Sequence, residues 1–208
     1  MARTPAILTE VSGSIAVIRF NQPAKRNPLS RDTLNELANA VASLTAREDL
    51  LAIIFSGSED VFASGADIRE LAKLDSARAR EFSRFGQELF QSVADARQVT
   101  IAAINGYCIG GALDLALACD IRIASPQAVF AHPGARLGII TGWGGTQRLQ
   151  PLVGRARALE LFATARRLTS QEALEIGLIS ALVVKPIEAA LEMALADPIK
   201  EKASNPRV

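Results

Sequence analysis

Apolar residues follow two periodicities along the chain. Ile7-Leu8-Thr9-Glu10-Val11 and Ile15-Ala16-Val17-Ile18-Arg19-Phe20 are β-prone runs flanking Ser12-Gly13-Ser14, which predicts a β-hairpin. After a Pro-containing loop from Asn21 to Leu29, Leu34, Leu37, Val41 and Leu44 recur at helical steps behind Ser30, a residue suited to cap a helix. Leu50 to Phe55 is short, continuous and apolar and stops at Ser56-Gly57-Ser58, as expected of a parallel strand covered on both faces. A loop through Gly65 leads to a short helix near Asp67 to Leu74. A longer helix follows, with Phe82, Phe85, Leu89, Phe90 and Val93 on one stripe. Next come a strand at Thr100–Ile104, a turn, a small-residue helix at Gly110–Ala118, and short strands at Ile121–Ala124 and Val129–Ala131. The remainder reads as helices at Arg155–Ala163, Ser170–Ile176 and Ile187–Ala196, with one β-like run at Leu182–Val184. Strands separated by helical crossovers predict an α/β fold with a parallel sheet.

Composition narrows the class. At 208 residues and 49% hydrophobic, the chain has material for one sizeable core. Its longest strictly apolar run, Leu50 to Phe55, is far short of the roughly 18 residues that span a membrane. The start, Met1-Ala2-Arg3-Thr4-Pro5, lacks the apolar core of a secretory signal, so a cytoplasmic location is expected. A net charge of +1 argues against a nucleic-acid partner, although Lys25, Arg26, Arg155, Arg157, Arg166 and Arg167 supply local basic character. Cys108, Cys119 and His132 are the soft ligands considered, and no two share a metal-binding spacing, so no metal site is expected. Both cysteines read as small buried hydrophobes.

Two segments carry candidate chemistry. In Asn105-Gly106-Tyr107-Cys108-Ile109-Gly110-Gly111-Ala112-Leu113-Asp114, a strand end meets paired glycines and then a helix. Such a start admits close approach of backbone N–H groups to an oxygen carrying negative charge, or simply serves tight packing. Phe62-Ala63-Ser64-Gly65-Ala66-Asp67-Ile68 also runs from a strand into a helix and presents a second possible donor. No phosphate-binding Gly-x-x-x-x-Gly-Lys-Ser/Thr is present.

Five motifs in order, from about Ile15 to Val184, resemble the crotonase superfamily, the enoyl-CoA hydratase/isomerase group. They are Lys25-Arg26-Asn27-Pro28-Leu29-Ser30, Ser64-Gly65-Ala66-Asp67-Ile68, Asn105-Gly106-Tyr107 with Gly110-Gly111, Cys119-Asp120-Ile121-Arg122, and Gly144-Gly145-Thr146-Gln147-Arg148-Leu149. The resemblance implies stacked ββα turns forming a spiral, an acyl-CoA thioester as ligand, and trimers or pairs of trimers. It implies a core over residues 1–185 and a shortened helical C-terminal region over 186–208. It also implies that the N–H groups of Ala66 and Gly111 hold the thioester oxygen of an enolate. Lys25 and Arg26 would lie near the CoA phosphates, and Ala66, Asp67 and Ile68 near the adenine. No cofactor is implied beyond the coenzyme A of the substrate.

The acid/base residues depart from the family pattern. Hydratases of this group carry two glutamates; the first aligns with Asp114, shorter by one methylene, and the second with Gly134. Additional carboxylates of dienoyl-CoA isomerases align with Gly134 and Gly142. Asp114 is left as the candidate acid/base, enough for a double-bond shift if apolar surroundings raise its pKa. Its alternative role is a carboxylate at a helix start bonded to backbone donors. His132, the sole histidine, either reaches the pocket beside Gly134 or packs at a strand end, and Trp143 either lines the acyl pocket or packs. Relatives usually continue beyond Asp197-Pro198-Ile199-Lys200, so cover over the acyl-CoA is expected to be reduced or supplied by a neighbouring subunit. The resulting expectation is an enoyl-CoA hydratase or isomerase. The alternative is an acyl-CoA-binding or assembly subunit with impaired catalysis.

Overall fold

The computed structural model describes residues 4–58 and 60–196. The hairpin forms as expected: β1 (Ile7–Ser12) pairs antiparallel with β2 (Ile15–Phe20) around Gly13. A single 3-10 turn, Pro23–Lys25, precedes α1 (Arg31–Thr45). The Ser30 hydroxyl accepts from Thr33 N–H at the start of α1, and Leu34, Leu37, Val41 and Leu44 are buried along one face. The expected central strand is β3 (Ala52–Ser56), buried throughout.

From there the chain repeats a unit of two strands and a helix. β3 is followed by β4 (Val61–Ala63), α2 (Ile68–Leu71) and α3 (Ser76–Ala94). β5 (Val99–Ile104) is followed by β6 (Tyr107–Ile109) and α4 (Gly111–Ala118). β7 (Ile121–Ala124) is followed by β8 (Val129–Ala131) and α5 (Gly134–Leu137). The first strand of each unit joins a six-stranded sheet ordered β1-β2-β3-β5-β7-β10, with β10 at Ala181–Leu182. The second joins a four-stranded sheet ordered β4-β6-β8-β9, with β9 at Leu168–Thr169. β2, β3, β5, β7 and β10 run parallel, as do β4, β6 and β8. This is the ββα spiral implied by the family motifs.

One strand of the second sheet is the main departure from the sequence pattern. β6 occupies the segment expected to be a turn, because three residues with glycine on either side are too short to show a strand period. The helices α6 (Gly145–Val153), α7 (Arg155–Thr164), α8 (Ser170–Glu175) and α9 (Pro186–Ala194) complete the described chain. The larger core lies between the sheets and helices α1, α3, α4, α6, α7 and α8. A smaller one covers the opposite face of the first sheet, where Ala190 and Ala194 of α9 meet Ile15, Ile54, Ile101 and Ile123. Of the region 186–208, residues 197–208 lie outside those described.

Candidate active site

The two glycine-bearing loops converge because their backbones touch. Gly65 (φ +81°) leaves so little room beside its Cα that an added Cβ would lie 2.6 Å from the Ile109 carbonyl oxygen and 3.0 Å from the Gly111 nitrogen. Gly110 (φ +59°, ψ −124°) turns the chain from β6 into α4 in a conformation that suits glycine alone. As the first residue of α4, Gly111 has no intrahelical partner for its N–H. The N–H groups of Ala66 and Gly111 therefore belong to adjacent loops, and neither has a hydrogen-bond partner among the described residues.

A buried asparagine fixes the first loop. Asn27 sits in the left-handed region (φ +48°), a conformation asparagine tolerates. Its Oδ1 accepts from Gln22 N–H at 2.7 Å, while its Nδ2 donates to the Val61 and Phe62 carbonyls of β4 at 3.1 and 3.2 Å. Its own carbonyl accepts from Ser64 N–H, and Leu29 N–H donates to the Gly65 carbonyl. The Lys25–Ser30 motif thus staples the Ser64–Ala66 loop in place.

A cavity of about 370 Å³ opens at this junction, lined by segments drawn from residues 64–143. Ala66, Gly111, Asp114 and Ile68 line it; Lys25, Arg26 and Asp67 are not among its lining residues. Lys25 and Arg26 are exposed on the preceding loop, with the Arg26 guanidinium 5.6 Å from the centre of the Tyr107 ring. Asp67 caps α2 and pairs with Arg69 at 2.7 Å, a contact that holds its carboxyl below the usual range. The apolar lining comes from Leu71, Leu74, Phe82 and Trp143, and its rim from exposed Leu137, Ile139 and Ile140.

Trp143 both lines the cavity and packs. Its indole stands edge-on to Phe82 and Phe90, with ring centres 5.3 and 5.6 Å away. It is also wedged between two glycines: a methyl added at Gly86 would lie 2.6 Å from its Cγ, and one at Gly111 would overlap Cζ3 and Cε3. Arg148 donates to the Trp143 carbonyl at 3.1 Å and to Gln91 Oε1 at 2.8 Å.

Asp114 is fully buried on α4. Its Oδ2 accepts from the Thr141 hydroxyl and its carboxyl also receives the Trp143 N–H, two bonds that favour the charged form, as does the Arg148 charge. Desolvation outweighs them and pushes the pKa up to about 7. Oδ1 lies 3.3 Å from His132 Nε2 without the alignment of a hydrogen bond, and neither atom has another partner among the described residues. Burial pulls the His132 pKa down to about 4. Its ring packs against Phe162 at 5.1 Å, so His132 both packs and reaches the cavity wall.

Gly134 begins α5 and lines the same cavity, yet a Cβ there would lie 2.6 Å from the Ile139 carbonyl oxygen. The backbone has closed over the space that a side chain at this position needs. Thr141 was not singled out from the sequence; it belongs to an irregular Gly-rich stretch whose contacts with α4 leave no periodic signal. Elsewhere, Cys108 and Cys119 are buried thiols whose burial raises their pKa, for Cys119 to about 12. Arg166, considered above for basic character, is paired with Glu160 at 2.6 Å and Glu172 at 3.0 Å. Among the described residues no helix is long and apolar enough to cross a membrane.

Comparison with known proteins agrees with the spiral. The enoyl-CoA hydratase/isomerase family model matches residues 10–204. The short-chain-enoyl-CoA hydratase of Clostridium acetobutylicum is 39% identical over 183 residues, covering 88% of this chain and 70% of that protein. The crotonyl-CoA hydratase of Syntrophomonas wolfei is 40% identical with the same two coverages. Among solved structures, Pseudomonas aeruginosa DspI superposes with a TM-score of 0.90 at 38% identity, covering 99% of this chain and 87% of that one. An enoyl-CoA hydratase from Bacillus anthracis gives 0.87 at 35%, covering 96% and 77%. The chain belongs to the enoyl-CoA hydratase/isomerase family of the crotonase superfamily.

Proposed function

We propose that the chain acts on acyl-CoA thioesters by stabilising a thioester enolate, with the N–H groups of Ala66 and Gly111 as the oxyanion pair and Asp114 as the proton carrier. The observation that carries this reading is the meeting of two unpartnered N–H donors at the wall of a cavity that also holds a buried carboxyl. Each donor of such a pair contributes about 2.7–4 kcal/mol to the transition state. A pKa of about 7 suits a group that must both accept and donate a proton near neutral pH.

With a 2-enoyl thioester, water oxygen bonds to Cβ while the alkene electron pair moves through Cα to the carbonyl oxygen. The proton lost by water passes to Asp114 and from there to Cα. With a 3-enoyl thioester, Asp114 removes the Cα proton and returns it at Cγ, with no change of mass. Both sequences balance with one carrier, and neither needs a cofactor beyond the coenzyme A of the substrate. Lys25 and Arg26 are assigned to the CoA phosphates and Ala66, Asp67 and Ile68 to the adenine end. Assembly as a trimer or pair of trimers, in the cytoplasm, belongs to the same proposal; the exposed apolar rim of Leu137, Ile139 and Ile140 supports association.

A second reading, an acyl-CoA-binding subunit without turnover, is favoured by Gly134, whose side-chain space is filled by the Ile139 backbone. Incubation of purified protein with 2-enoyl-CoA and 3-enoyl-CoA, beside Asp114→Asn, separates them by product mass and retention. Water addition or a mass-neutral shift that depends on Asp114 supports the enzyme. Tight thioester binding with no product supports the binding subunit.

A further inference from the structure

Two polar atoms in the wall of the cavity have no hydrogen-bond partner among the described residues, and they face each other. Asp114 Oδ1 and His132 Nε2 stand 3.3 Å apart, on side chains that are 1% and 4% exposed. Their other surroundings are settled: Oδ2 is held by Thr141, Oδ1 occupies the space that a Cβ at Gly145 would need, and the imidazole packs on Phe162. A buried acceptor and a buried imidazole nitrogen left unpaired are both unfavourable, and a single proton between them satisfies both.

We propose that Asp114 and His132 form a dyad that shares one exchangeable proton, His132 serving as the positioning residue that holds this proton on the side of Asp114 away from Thr141. The proposal rests on the reading of Asp114 as proton carrier and adds what replaces the second carboxylate. When the dyad is empty it takes one proton, from water as its oxygen bonds to Cβ or from Cα; when full it returns one proton to carbon. No electron is gained or lost over the cycle, and the imidazole ends as it began. Among the described residues, the titratable and charged groups facing the pair are the Cys108 thiol from β6 and the Arg148 guanidinium from α6, the latter favouring the carboxylate. The opposed shifts of the two partners fit one proton held on the pair near neutrality rather than an aspartate–imidazolium ion pair.

Because His132 is the single histidine, isotope labelling of histidine gives one ring signal that needs no assignment. Its ring nitrogen shifts, followed from pH 5 to 9, are expected to show a step near pH 7 that disappears in Asp114→Asn. Absence of that step in the wild type, or its persistence unchanged in Asp114→Asn, overturns the dyad. Should Asp114→Asn fail to fold, His132→Gln decides. The midpoint of the pH–rate profile is expected to move by about one pH unit or more, with KM held within about twofold. An unmoved profile overturns the proposal. The histidine titration does not depend on turnover, so a protein without activity but with the coupled step would refute the enzymatic reading and leave the dyad standing.

Discussion

Replacement of Gly111 by alanine separates the demands of packing from those of chemistry. A methyl at this position would overlap the six-membered ring of Trp143, and the indole has nowhere to retreat. Phe82 and Phe90 hold its edges, and Gly86 of α3 lies against its other side, with room there for no more than a hydrogen. Overpacking of a closed core costs about 1–3 kcal/mol. The same methyl pushes the start of α4 away from Gly65, and a displaced oxyanion donor lowers kcat by about 10²–10³-fold. Gly86→Ala is the control. Its methyl would meet the same indole, 2.6 Å from Cγ, but on a helix that carries no donor. Both variants are expected to lower the urea midpoint comparably, and only Gly111→Ala to lose two or more orders of magnitude in kcat with an enoyl-CoA substrate. Adding Trp143→Ala to Gly111→Ala is expected to recover stability relative to the sum of the single changes, since the clash partner is removed. Equal losses of turnover in Gly86→Ala and Gly111→Ala, or full activity in Gly111→Ala, would refute the assignment of Gly111 as a donor.

Further expectations follow from the same geometry. Asp114, with its pKa raised, contributes stability below about pH 3.8 that is lost as pH rises through about 7. His132, with its pKa lowered, contributes stability above about pH 6.5 that is lost as pH falls through about 4. Between pH 4 and 6.5, unfolding releases a proton from one and binds a proton at the other, so their slopes cancel. Relative to wild type, Asp114→Asn is expected to lose about 1.4 kcal/mol per pH unit on acidification from 6.5 to 4. His132→Gln is expected to lose a similar amount per unit as pH rises from 4 to 7, and urea titrations across this window read both slopes. Gly134→Glu, which restores a carboxylate to the sequence pattern, is expected to cost about 1–3 kcal/mol without raising turnover, because its Cβ meets the Ile139 carbonyl. Thermal unfolding with a rate assay checks it, and increased turnover would show that the 138–140 loop yields. Asn27→Ala is expected to lower stability by at least about 1–3 kcal/mol through the orphaned Gln22 N–H and β4 carbonyls, read from the urea midpoint.

Much of this was legible in the sequence. The hairpin, the Ser30-capped helix and the strands at 121–124 and 129–131 follow from period and capping chemistry, and these positions are where one face is buried. Strand β6 of the second sheet was harder to see, since its three residues lie between Gly106 and Gly110. The site was readable where backbone does the work, because Gly65 and Gly110 adopt positive φ and Gly65 approaches the Gly111 nitrogen too closely to carry a side chain. It was unreadable where side chains from distant segments meet. Thr141 to Asp114 spans 27 residues, and the wedge of Trp143 between Gly86 and Gly111 joins three elements. The Asp114–His132 pair likewise depends on the parallel pairing of β6 with β8, which sets the start of α4 beside the end of β8.

The most direct test is the carbonyl stretch of a bound thioester. A saturated acyl-CoA labelled with ¹³C at the thioester carbon, added to the protein, gives an isotope-edited infrared difference spectrum of that one bond. Two N–H donors from Ala66 and Gly111 polarise the carbonyl and shift its stretch to lower frequency than in water, and this shift is the expected result. A thioester that binds while its carbonyl keeps the solution frequency would contradict the enolate-holding site.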